Sequence, residues 1–180
     1  MKENDKANRL TNVLFVIYLL VLVWVLILKL DVHFSYMDKR MINLIPFAES
    51  TDQNGKPNSM EMVLNALIFI PLGVYAGILF KKWTIWKKIP LFFLTSLSIE
   101  IIQFILSVGA ADITDIINNT AGGLIGLLVY MGIEKAFRNG YRAQKFLNFL
   151  ALAGTVFIVL FLFLLKIKAL WIIGIHFRYQ

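Results

Sequence analysis

Along the chain, apolar residues gather into long uncharged runs separated by short polar and basic clusters. Such runs carry roughly 17–25 residues, about what an α-helix needs to cross the hydrocarbon layer, so they are read as membrane spans. The first extends from about Val13 to Leu30, with Lys29 able to snorkel toward the headgroups. A polar segment from Asp31 to Glu61 follows and turns at Asn54-Gly55-Lys56-Pro57. Span two covers about Met62 to Phe80 and holds Asn65 and Pro71, and span three runs from about Pro90 to Val108. Span four is the short one: its wholly apolar part, Ala121 to Ile133, is about thirteen residues, too few to cross. It must either take in the polar stretch Ile113 to Thr120 or re-enter without crossing. Span five runs from Phe146 to Leu165, and the tail Lys166 to Gln180 reads as an interfacial helix. The expected fold is an all-α, polytopic transmembrane helical bundle of about five spans, forming one membrane domain over residues 1–180.

Composition agrees with lipid as the solvent. The hydrophobic fraction is 59% and the mean hydropathy +0.74, against about 45–50% apolar residues in soluble domains. A formal charge of +7 could suggest nucleic acid, yet the basic residues flank apolar runs in small groups, as topology signals do. No nucleic-acid partner is therefore expected. With five spans and the N-terminus inside, eleven Lys and Arg fall on the inner side and six on the outer, so the N-terminus is expected to be cytoplasmic. The run after Lys2, Lys6 and Arg9 is long for a signal peptide and has no small-residue cleavage site before Asp31, so it reads as a retained anchor. The absence of cysteine excludes disulfides, thiolate metal sites and cysteine nucleophiles.

Polar residues inside the spans carry the functional information, because an acidic side chain at mid-bilayer costs roughly 2.5–3.5 kcal/mol on insertion scales. Span three places Ser96, Glu100, Gln103 and Ser107 at spacings of four, three and four, which is one helical stripe. Glu100 is the most costly of them and should be neutral or paired with a cation, for which Arg40 or Lys39 of the outer segment are nearest by topology. Span four repeats the pattern with Asp112, Asp115, Asn118 or Asn119, Gly122 and Gly126. With the proposed orientation, Gln103, Ser107, Asp112, Asp115 and Asn118 lie near the outer end of one hairpin, Asn65 at a similar depth, and Arg40, Asn43, Pro46 and Phe47 above them. One pocket open to the outside can hold them all. The bland alternative is that such groups merely hydrogen-bond helices together, at about 0.6 kcal/mol per bond; it suits Asn65, Ser96 and Ser107 better than three carboxylates. His33 and His176 stand apart from any ligand spacing and read as interfacial. The small pairs Gly73 with Gly77 and Gly122 with Gly126 read as helix packing rather than a dimer face.

Four short pieces resemble the VanZ-like family of bacterial membrane proteins, in that family's order. They are Arg40 with Asn43-Leu44-Ile45-Pro46-Phe47; Asn65 with Phe69-Ile70-Pro71-Leu72-Gly73; Ser98-Ile99-Glu100-Ile101-Ile102-Gln103; and Asp112-Ile113-Thr114-Asp115-Ile116-Ile117-Asn118-Asn119-Thr120-Ala121-Gly122. The resemblance covers residues 40–132, and the flanking spans match only as apolar segments. One departure is Gly109-Ala110-Ala111, where many members carry a basic residue; this shifts weight onto Arg40. The resemblance implies a multi-pass protein of the bacterial cell membrane, of a kind associated with resistance to the glycopeptide teicoplanin. It implies no reaction.

Three functions follow. The first is binding or modulation of an envelope lipid, a lipid-linked wall precursor or a lipidated glycopeptide, with Arg40 on phosphate or carboxylate and Asn43, Asn65, Gln103, Asp112 and Asn118 supplying further contacts. The second is an intramembrane enzyme acting on a lipid-linked, phosphate-bearing substrate, with Glu100 as proton acceptor and Asp115 as its partner or a metal ligand. The third is proton-coupled transport, which a small chain without inverted repeats does not favour. No cofactor is expected, and no metal, since there is neither a His-x-x-x-His motif nor a dense aspartate motif.

Overall fold

The computed structural model describes residues 2–28, 42–47, 59–106 and 111–176. Its elements in order are helix α1 (Lys2–Leu28), strand β1 (Ile42–Asn43), helices α2 (Ser59–Leu79) and α3 (Ile85–Leu106), strand β2 (Ala111–Asp112), and helices α4 (Ile113–Phe137) and α5 (Gly140–His176). The protein is an all-α bundle, and among the described residues α1 to α4 each contain a stretch long and apolar enough to cross a membrane. Arg40, Lys39, His33, Ser107, Gly109, Ala110 and the turn at Asn54 to Pro57 lie outside the described residues.

The helices begin earlier than the apolar runs do. α1 takes in the charged N-terminal stretch, because Glu3 and Asp5 in its first turn offset the positive end of the helix dipole. α3 begins at Ile85 rather than at Pro90, so the proline sits inside the helix. Pro90 lacks the N–H that would bond the Trp86 carbonyl, and Trp86 is exposed, leaving that carbonyl open to headgroups or water. The fourth apolar segment lies within α4, an unbroken helix of 25 residues that takes in the polar stretch and is about 37 Å long at 1.5 Å per residue, long enough to cross. α5 continues without a break from Gly140 to His176.

Two compact units are present: Met1–Leu14 with Gly140–Gln180, and Phe15–Asn139. In the first, amides and a hydroxyl close on one another. Gln144 Nε2 donates to Asn8 Oδ1 and Thr11 Oγ1, Thr11 Oγ1 approaches Asn148 Oδ1 at 3.0 Å, and Asn148 Nδ2 donates to the Ala7 carbonyl. This is ordinary interhelical bonding, with the polar atoms consumed locally.

In the second unit α2 and α4 lie along each other, and glycine permits the approach. A Cβ on Gly122 would fall on the Ala66 carbonyl, one on Gly126 on that of Ile70, and one on Gly73 on that of Gly123. The glycine pairs are therefore intramolecular packing, as expected. Phe69, Leu72, Phe92, Ile99 and Leu127 fill the space between α2, α3 and α4, together with Leu22 and Leu26 of α1. Tyr18 Oη donates to the Ile68 carbonyl at 2.9 Å, in the turn that Pro71 loosens by removing the donor to Leu67.

Candidate functional site

The polar end of the second unit is built by a helix start and a two-residue strand pair. Asp112 has extended backbone angles (φ −118°, ψ 125°) and caps α4, its Oδ1 accepting the Thr114 N–H at 2.7 Å. This satisfies one of the donors a helix start leaves bare. Residue 112 also ends β2, which pairs in parallel with β1 so that Asn43 faces Asp112 and Ile42 faces Ala111. Asn43 Nδ2 donates to Asp112 Oδ2 at 3.2 Å, and its Oδ1 accepts the Ile45 N–H at 3.1 Å. The following turn is held by Thr114, whose Oγ1 accepts the Phe47 N–H at 2.9 Å. Phe47 lies in the left-handed region (φ 64°), which costs an L-residue roughly 1–2 kcal/mol, so this turn is held against strain.

Glu100 meets this assembly from α3. It is 3% exposed, and its Oε2 accepts the backbone N–H of Asp112 at 3.0 Å. One turn into α4, Asp115 Oδ1 accepts from Asn65 Nδ2 of α2. Side chains of β1, α3 and β2 thus form one contact group around Asp112, and α2 joins α4 in a second, one helical turn further along α4. Ser96, Glu100 and Gln103 all lie on the buried side of α3, while Phe93, Leu94, Ile101 and Ile105 are exposed. The polar stripe therefore faces protein and the apolar face is left for lipid.

Asn43, Glu100 and Asp112 are brought into contact with one another, and Asn65 with Asp115 one helical turn along α4. Gln103 is buried, but its Nε2 donates to the Leu26 carbonyl of α1 at 2.7 Å, and among the described residues its Oε1 has no partner. Asn118 Nδ2 is likewise buried without a partner among the described residues. Arg40 and Ser107, as already noted, lie outside them.

Two residues outside the expected set, Thr114 and Thr120, belong here, with Asn119 of the expected pair. Thr114 ties the cap to the Phe47 turn. Asn119, fully buried, donates from Nδ2 to Ser96 Oγ at 2.9 Å, leaving its Oδ1 unpartnered among the described residues. The spacing from Asp115 allowed either Asn118 or Asn119, and burial favours Asn119. Thr120 Oγ1 is also buried without a partner there, and it lines an apolar groove of about 400 Å³ formed by Pro46, Phe93, Ile113, Ile116 and Leu124 among others. Among the described residues no group of three His, Asp or Glu side chains could hold a metal ion.

The family model described as VanZ/LLP1 matches residues 15–138. The chain belongs to this family. Helices α2 to α4, both strands and the part of α1 from Phe15 onward lie within the matched region. Among curated proteins, "Protein VanZ" of Enterococcus faecium is 34% identical over 156 residues, covering 84% of this chain and 92% of that protein. No solved structure matches the chain. With family membership and four apolar helices established, the chain is a multi-pass membrane protein.

Proposed function

We propose that this VanZ/LLP1 member binds an amphiphilic envelope ligand at the junction of Asn43, Asn65, Glu100, Asp112 and Asp115. The ligand class is a membrane lipid, a lipid-linked wall precursor or a lipidated glycopeptide of the teicoplanin type. One observation carries the reading. On the helix that Asp112 caps and that carries Asp115, the structure keeps buried polar atoms without partners among the described residues, on Asn118, Asn119 and Thr120, the last of which lines an open apolar groove. A buried group left without a hydrogen bond costs about 1–3 kcal/mol, and a protein needing only helix adhesion can close such groups on each other. The Thr11, Gln144 and Asn148 cluster of the other unit does close them. Polar contacts beside an apolar groove suit a ligand with a polar head and an acyl chain.

The excess of Lys and Arg on one side supports a cytoplasmic N-terminus, which would direct the junction to the outer face of the bacterial cell membrane. The strained but anchored Phe47 turn and the capped start of α4 supply rigidity, so ligand groups would meet preformed donors and acceptors. The relative named "Protein VanZ" supports a test with teicoplanin. In a susceptible bacterium expressing the chain, the inhibitory concentration of teicoplanin should rise, and the gain should vanish in Asp115→Asn at equal protein level. An unchanged gain in that variant would separate any resistance from the junction.

A further inference from the structure

The same unit has a second cleft at its other end. Along α4, Tyr130 lies fifteen residues after Asp115, about 22 Å away along the axis at 1.5 Å per residue. There the end of α2, the connector and the start of α3 enclose a cleft of about 470 Å³ whose lining includes Lys81, Trp83, Ile85, Lys88, Tyr130 and Glu134. Its volume lies within the roughly 300–1,000 Å³ range of small-ligand sites.

Lys88 is the unusual member. By sequence it is one of four lysines, with Lys81, Lys82 and Lys87, in a basic connector that reads as an interfacial anchor, but it is only 7% exposed and sits on the buried side of α3 with Phe92 and Ser96. A lysine ammonium taken from water needs a negative partner. The carboxylate in the cleft is Glu134, which attracts the Lys88 ammonium and also accepts Tyr130 Oη on its Oε1 at 2.9 Å. Lys81 and Lys88 against Glu134 leave the lining one positive charge in excess. Lys82 and Lys87 stand exposed beside it, and so do Trp83, Ile85 and Trp86. Tryptophan among lysines at the ends of apolar helices marks the headgroup level of a bilayer.

We infer that this cleft binds the phosphate headgroup of an anionic membrane phospholipid. Lys88 and Lys81 hold the phosphate, while Trp83 and Ile85 pack against the glycerol and the first acyl carbons. The apolar rim distinguishes this occupant from free phosphate, which would gain nothing from it. The inference is separate from the ligand site at the acid–amide junction and holds whichever leaflet the cleft faces.

Native mass spectrometry of the full chain, purified in detergent and titrated with phosphatidylglycerol or phosphatidylcholine, tests it. Wild-type protein should retain phosphatidylglycerol in preference. Lys81→Gln should lower that retention about fivefold, the effect of one cation beside an anionic lipid surface, and Lys88→Gln should lower it at least as far. Lys82→Gln and Lys87→Gln remove the same charge from residues that do not line the cleft, and both should bind as wild type does. Lys88→Gln is read only where its elution and circular dichroism match wild type; Lys81→Gln, at an exposed residue, carries the test otherwise. Equal losses in all the lysine variants, equal retention of phosphatidylcholine, or displacement by inorganic phosphate at matching concentration would each overturn the inference.

Discussion

The contact between Asn65 and Asp115 separates a binding site from simple helix adhesion. Asn65 of α2 is buried and donates from Nδ2 to Asp115 Oδ1 of α4, yet these two helices are already locked by glycine contacts at Gly73, Gly122 and Gly126. Adhesion does not require the bond. Interhelical hydrogen bonds within membranes average about 0.6 kcal/mol, whereas bonds to a charged acceptor contribute about 1.5–3 kcal/mol. A double-mutant cycle of Asn65→Ala, Asp115→Ala and the pair, read by steric-trap unfolding in bicelles, isolates the coupling. A coupling of about 1.5–3 kcal/mol is expected, with about 0.6 kcal/mol for the corresponding cycle on Thr11 and Asn148, which serves as the adhesion reference. Equal couplings at the two places would refute the reasoning, because the junction would then be glue like the other cluster.

Three further outcomes follow from the fold. Gly122→Ala puts a Cβ on the Ala66 carbonyl and should lower the melting temperature in detergent, while Gly132→Ala, with nothing within 4 Å, should leave it unchanged or raise it, by up to about 1 kcal/mol of helix propensity. Asp112→Ala removes the α4 cap and the Asn43 contact; hydrogen exchange at the first turn of α4 should quicken, consistent with a cap worth about 0.5–2 kcal/mol, and Asp112→Ser should restore most of the protection. A periplasmic-type alkaline phosphatase fused after Gln180 should be active if all five helices cross from a cytoplasmic N-terminus, and an active cytoplasmic-type fluorescent fusion in its place would reverse that topology.

Parts of this architecture were legible because lipid makes polar residues costly. The stripe of Ser96, Glu100 and Gln103 announced a buried face on α3, and that face is buried. The glycine spacing announced close packing, though only the structure pairs Gly122 with Ala66 and Gly126 with Ile70. The pairing of Ile42–Asn43 with Ala111–Asp112 was not legible, since two-residue strands have no periodicity and their contact spans most of the unit. The burial of Lys88 was not legible, because composition does not register where a helix begins; starting α3 at Ile85 puts it on the buried stripe. Asn118 and Asn119 could not be ranked from spacing alone, because helical steps of three and four share a face. The Thr11, Gln144 and Asn148 cluster was missed because its members sit at the edges of apolar runs, where polar residues are common.

Affinity at the acid–amide junction tests the central claim most directly. With purified protein in neutral-lipid nanodiscs, titration by teicoplanin and by a lipid-linked wall precursor should give saturable binding for at least one of them. Asn65→Ala and Asp115→Asn should each weaken it about tenfold or more, the equivalent of one lost charge-assisted hydrogen bond, while Thr11→Val in the other unit should bind as wild type does. Undiminished affinity in both junction variants, with their folds intact, would contradict the account.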